Sequence, residues 1–279
     1  SKRLIARLDI KGKKLIKGIR FEGLRVINNA SEAALDYYIS GIDEIFYSDA
    51  VASLYGRNGL EELLRITSKN IFVPITVGGA IRSVEDANKI LGAGADKLAI
   101  NTAAVKNPSL IGNLATRFGK QCVVLSIQAR RNKDLRSGWE VMIESGRERT
   151  NLDVIEWITE AQNLGIGELL VTSVDRDGTR QGPESDLLKK INPEVSVPLI
   201  FGGGYDKPEE ILETFKNENI SAISIGSALH FNSIIIKDLK QYLKNKNIQI
   251  RDIDNDNCSS SINFNFKNLS DFNIIIIDY

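Results

Sequence analysis

Histidine is almost missing from this chain: His230 is the only one in 279 residues. That excludes a His-rich metal site and argues against a Ser-His-Asp triad, so no metal and no cofactor is expected. His230 itself reads as a packing or capping residue. Cysteine is nearly as scarce. Cys122 and Cys258 stand far apart, too few and too distant for a disulfide framework, and Cys122 reads as a small core residue opening a buried strand. An excess of either charge is lacking too: 36 basic and 36 acidic residues cancel. No basic surface argues for nucleic acid, and no basic amphipathic segment argues for a membrane surface. No apolar run approaches the roughly 20 residues of a membrane span, and no signal-peptide pattern opens the chain. A cytoplasmic protein is the expectation.

What is present is a regular alternation. Apolar, β-branched runs fall at Leu4–Asp9, Glu44–Ser48, Ile75–Val77, Lys97–Ile100, Val123–Ile127, Glu168–Thr172, Leu199–Phe201 and Ala222–Ile225. Helical periodicity lies between them, for example at Ser31–Ser40, Leu60–Thr67, Val84–Leu91, Leu152–Leu164, Pro208–Phe215 and Ile234–Lys244. Eight such units in about 245 residues predict an α/β fold, a (β/α)8 TIM barrel. A doubly wound sheet would usually carry a Gly-x-Gly-x-x-Gly turn after the first strand, and none is there. The chain also repeats itself. Pro74 to Ala80 matches Pro198 to Gly204, each followed by an acidic helix start, and Ala99 to Val105 matches Ser224 to Leu229. The barrel therefore reads as two fused halves.

Each half offers a phosphate cradle: Gly78, Gly79, Asn101 and Thr102 in the first, and Gly203, Gly204, Gly226 and Ser227 in the second. Glycine lets backbone amides approach an anion, and a following helix start with a capping residue adds positive potential. Tight turns without a ligand are the competing reading. Between the cradles, strand ends bring Asp9, Asp49, Gln128, Thr172, Asp175 and Asp177. Asp9 can be catalytic or a structural rim carboxylate, and Asp177-Gly178 can be substrate-binding or turn chemistry. Lys17, in a loop Lys11–Arg20, can close over an anionic substrate or simply be exposed. The first strand ends in a carboxylate, Asp9, and the fifth in a carboxamide, Gln128. Only the carboxylate can move a proton near neutral pH.

The runs Arg7-Leu8-Asp9, Lys17-Gly18, Thr76-Val77-Gly78-Gly79, Gly94-Ala95-Asp96-Lys97, Ile100-Asn101-Thr102-Ala103-Ala104-Val105 and Thr172-Ser173-Val174-Asp175-Arg176-Asp177-Gly178-Thr179 span the barrel. Together they resemble the cyclase subunit family of imidazole glycerol phosphate synthase. The resemblance implies a glutaminase on the N-terminal face, ammonia crossing the barrel, and ring closure on a bis-phosphorylated substrate by two aspartates. One of those aspartates falls on Asp9; the other falls on Gln128, so lyase/cyclase activity is expected to be lost. The cradles are altered as well, with Ala80 in place of a third glycine and Gly202 in place of a serine. The resemblance further implies an ammonia entrance formed by Arg3, Glu44, Lys97 and Glu168, and a partner contact at Asp96. A kept entrance beside a broken acid–base pair points to relatives in surface-polysaccharide gene clusters. There such a barrel, a glutaminase and a sugar amidotransferase are thought to act together. The alternative is a working cyclase of histidine biosynthesis.

Three segments are expected: the barrel over 1–250, a polar linker over 251–271, and at 272–279 an apolar strand resembling the start of the glutaminase partner. The chain would then be the front of a fusion. Expected partners are a glutaminase subunit or fused glutaminase domain, a sugar amidotransferase, and a phosphorylated small molecule.

Overall fold

The computed structural model describes residues 1–49, 58–79 and 81–252. Ala80, nearly all of the expected linker and the terminal apolar strand lie outside these residues. Eight strands form the barrel: β1 (Arg3–Lys11), β2 (Glu44–Asp49), β3 (Ile75–Gly78), β4 (Lys97–Ile100), β5 (Val123–Arg131), β6 (Glu168–Ser173), β7 (Leu199–Gly202) and β8 (Ile220–Ile225). Each pairs in parallel with the next. The ring closes where Arg3 of β1 stands opposite Ala222 of β8. Closure leaves the barrel itself no free edge.

Alternation along each strand sorts the side chains. In β5, Val123, Leu125, Ile127 and Ala129 join the large core under the helices. Val124 points into the lumen, where it forms a separate apolar layer with Ile5, Phe46, Ala99, Leu170, Ile200 and Ala222. Burying each large aliphatic side chain stabilises the fold by about 1.5–3 kcal/mol. Eight helices of at least seven residues surround the strands among the described residues, and their starts follow local chemistry. Asn29 accepts from Ser31 N at 3.0 Å, Ser83 from Asp86 N at 3.2 Å, and Asp153 from Ile155 N at 2.8 Å. These bonds satisfy amides that the first helical turn leaves open. None of these helices is long and apolar enough to cross a membrane.

Several local expectations need correction. The segment after β1 is no loop. Lys14–Ile19 and Glu22–Asn29 form an antiparallel ribbon continuing from β1. Asp9 therefore lies inside its strand, two residues before its end. A second ribbon, Trp139–Ile143 with Glu148–Asp153, continues from β5. Leu152 belongs to that ribbon, and the helix begins at Val154 because Asp153 caps it. Cys122 is half-buried in a 3₁₀ turn rather than packed in the core.

Candidate functional site

At the floor, the strand starts bring Arg3, Glu44, Lys97 and Glu168 into one ring. Arg3 pairs with Glu44 at 2.8 Å and also with Glu168. Lys97 pairs with Glu44 at 3.1 Å and with Glu168 at 2.9 Å. Thr76 donates to Glu44 at 2.6 Å. Charges in so confined a place are tolerable because each has two opposite partners. Nearby, Asp96 accepts from Ile75 N at 2.8 Å, which fixes the entry to β3.

At the upper end, inward positions carry polar groups. Asp9 accepts from Arg7 Nε at 2.9 Å and from Lys17 Nζ at 2.8 Å. Lys17 reaches Asp177 at 2.9 Å, and Arg7 Nη1 reaches Thr172 at 3.1 Å. Arg7 also lies over the rings of Phe21 and Phe46, 5.1 and 5.8 Å from their centroids. Burial would raise the Asp9 carboxyl, but the Arg7 and Lys17 cations outweigh it and hold it far below the usual carboxylate range. Burial likewise opposes charge on Lys17, and Asp177 with Asp9 overcomes it, so that ammonium is held above its ordinary value. Lys17 is thus buried and paired, not an exposed lysine waiting over the mouth.

The two cradles differ. Gly78, Gly79, Asn101 and Thr102 border a cavity of about 560 Å³ together with Asp49, Ser126 and Gln128. Gly203, Gly204, Gly226 and Ser227 border one of only about 20 Å³, with Arg7, Asp177 and Gly178 around it. The helices expected behind the cradles are single turns, Thr102–Lys106 and Ser227–His230, with no side-chain cap bond. The Thr102 hydroxyl accepts from Glu144 N at 2.9 Å. Asp175 stands on the rim, where it accepts from Arg131 N at 2.8 Å. His230 packs on Tyr37, whose hydroxyl lies 2.6 Å from Nδ1. Burial and the Lys17 ammonium push His230 down to about 4, so it is neutral near pH 7.

Sequence reasoning missed Arg7 as a site residue. The signal was there: a cation two positions before Asp9, on the same inward face of the strand, directly above the apolar Ile5.

Fold and rim together define a (β/α)8 barrel with its polar groups at the C-terminal ends of the strands, the usual place for chemistry in this architecture. More particularly, the chain belongs to the family described as histidine biosynthesis protein, whose model matches residues 3–235. It is similar to imidazole glycerol phosphate synthase subunit HisF of Legionella pneumophila, 56% identical over 208 residues, covering 75% of this chain and 97% of the relative. The subunit of the same name from Hydrogenobaculum sp. is 43% identical over 251 residues, covering 90% and 99%. That of Prochlorococcus marinus is 41% identical over 249 residues, covering 89% and 97%.

Proposed function

We propose that this chain is the barrel subunit of a glutaminase-coupled system, one that admits ammonia at its floor and has given up ring closure at its top. The observation that carries this reading is the state of the acid–base pair. Gln128 has no titratable proton, and Asp9 is clamped between Arg7 and Lys17. A carboxylate held so far below its ordinary range is a weak base and carries no proton to donate. Ammonia entry is supported by the ion-paired ring and the apolar layer above it, which disfavours ammonium over neutral ammonia. A docked partner is supported by exposed apolar groups among the helix ends and strand entries near that floor. Phe72 is 75% exposed and Ile39 49%, and Phe72 meets Tyr38 edge-to-face at 6.3 Å. The narrower expectation, amidation of a polysaccharide sugar with a separate amidotransferase, has no counterpart in the relatives' names.

Those names favour a second reading, a working cyclase of histidine biosynthesis. A cyclase assay with the histidine-pathway substrate and excess ammonium salt separates the two. Loss of both acid–base groups lowers turnover at least ~100-fold below an ordinary cyclase. Gln128→Asp alone recovers little, because Asp9 stays clamped. Turnover within about tenfold of an ordinary cyclase would establish the second reading.

A further inference from the structure

Arg7 is set apart in the lumen. Two residues beyond the apolar layer, alternation along the strands brings Ser48, Ser126, Thr172, Gly202, Ser224 and Arg7 to the inner face. Five of these side chains are small, and Arg7 alone is long. It starts on β1 and reaches β6, where Nη1 meets the Thr172 hydroxyl at 3.1 Å. Phe46 of β2 and Phe21 of the first ribbon hold the guanidinium over their rings. The same side chain borders the space in front of Gly203 and Gly204, of which only about 20 Å³ is left.

The two cations beside Asp9 are not equivalent. Lys17 is shared: its Nζ lies 2.8 Å from Asp9 and 2.9 Å from Asp177. Arg7 is bonded to one carboxylate, Asp9, at 2.9 Å. The other titratable groups nearby leave this balance alone. His230 is neutral near pH 7. Arg147, on the second ribbon, borders the small space beside Asp9 and donates to Glu144 O at 2.8 Å. Arg180 borders the space beside Arg7 and stands 3.9 Å from Asp206. With Arg7 in place there are two buried cations for two buried carboxylates. Without it, Asp9 and Asp177 share one ammonium, and burial together with their mutual repulsion favours a proton on one of them.

We infer that Arg7 is a positioning residue of this site, one that locks the Asp9 carboxylate in an ion pair and fills the upper lumen beneath it, so that ring closure is barred at two positions, 7 and 128, and not at 128 alone. Lys17, already balanced by Asp177, leaves Asp9 able to exchange a proton once Arg7 is gone. The inference rests on the reading that ring closure has been given up. The two fail separately. Turnover by the unmutated chain would sink that reading, whereas an Asp9 that titrates normally in an inactive chain would sink the role of Arg7 alone.

The full chain, Gln128→Asp, Arg7→Met and the double variant Arg7→Met/Gln128→Asp are assayed for cyclase turnover with the histidine-pathway substrate and excess ammonium salt. Gln128→Asp is expected to gain less than about tenfold over the unmutated chain, and the double variant at least ~100-fold, the lower end of what an acid–base group supplies. The rate–pH profile of the double variant should bend on its acid side, a feature that a merely structural role of Arg7 would not create. The Asp9 carboxyl is followed by carbon-13 NMR without substrate. Its signal should stay flat from about pH 8 to about pH 3 in the unmutated chain and move within that range in Arg7→Met. Equal turnover of Gln128→Asp and the double variant, no gain in the double variant, or an Asp9 that titrates at its ordinary 3.8 beside Arg7 would overturn the inference. Should Arg7→Met fail to fold, Arg7→Gln, which keeps a donor and drops the charge, takes its place in every arm.

Discussion

Replacing Arg7 with methionine tests the buried network directly. The cluster contains two cations, Arg7 and Lys17, and two carboxylates, Asp9 and Asp177, linked at 2.8–2.9 Å. The Arg7 side chain is 6% exposed and that of Asp9 7%, so solvent cannot take over the lost partner. Methionine keeps much of the buried stem volume and removes the charge. Breaking a buried pair from one side costs about 3–5 kcal/mol, chiefly through the charge left behind. For a chain of this size each kcal/mol moves the melting midpoint by about 2–4 °C, giving a fall of about 6–20 °C. Urea denaturation at pH 7 measures the loss directly, with an unchanged m-value showing that the denatured state is the same. In an Asp9→Asn background the same substitution should cost less than about 1 kcal/mol, because the carboxylate bonded to Arg7 is gone and Asp177 keeps Lys17 as its partner. In the unmutated protein Asp9 is depressed when folded. Its contribution is full above the ordinary value of 3.8 and is lost as pH falls through the folded value. The deficit of Arg7→Met should therefore narrow in acid. A loss under about 1 kcal/mol at pH 7, or the same loss in both backgrounds, would refute the account of Arg7 as the counter-ion of Asp9.

His230 gives a pH signature in a higher window. It titrates near 4 when folded and 6.5 when unfolded, so stability is full above 6.5 and falls by about 3 kcal/mol down to pH 4. His230→Gln should flatten that slope in pH-dependent urea titrations, and an unaltered slope would place the titration elsewhere. Asp153 holds both Ile155 N at 2.8 Å and Ser137 N at 2.7 Å. Asp153→Ala should cost about 1–2 kcal/mol in the same assay, and a change within about 0.5 kcal/mol, the size ordinary for surface sites, would show the cap to be idle.

The eight strands were legible because each is a short run of Val, Ile and Leu buried on both faces, with turn or cap residues beside it. The ribbons were not. Glu22–Asn29 is exposed along most of its length, so no face alternates. Its turn uses Arg20 and Phe21 at φ 53° and 64°, residues that carry no hairpin signal. The residue types at the rim could be read from the strand ends, and Gln128 stood out by its chemistry alone. What could not be read was pairing. Lys17 is eight positions from Asp9 but 160 from Asp177, and only the folded ribbon brings all three together. The tightness of the second cradle comes from the Arg7 side chain and from the close backbone approach of Gly178 to Gly18 and of Gly204 to Gly182, and no local pattern encodes these.

The floor ring has a consequence for how the two halves belong together. Arg3, Glu44 and Lys97 come from the first half, and only Glu168 comes from the second. Separated, the first half would hold an unbalanced half-buried cation and the second an unbalanced buried anion. The duplication visible in the sequence has therefore not left two interchangeable modules. The first half supplies both cations and one anion and the second half the anion that balances them, so two copies of the first half would close with an excess of cations around the axis and two copies of the second with anions alone.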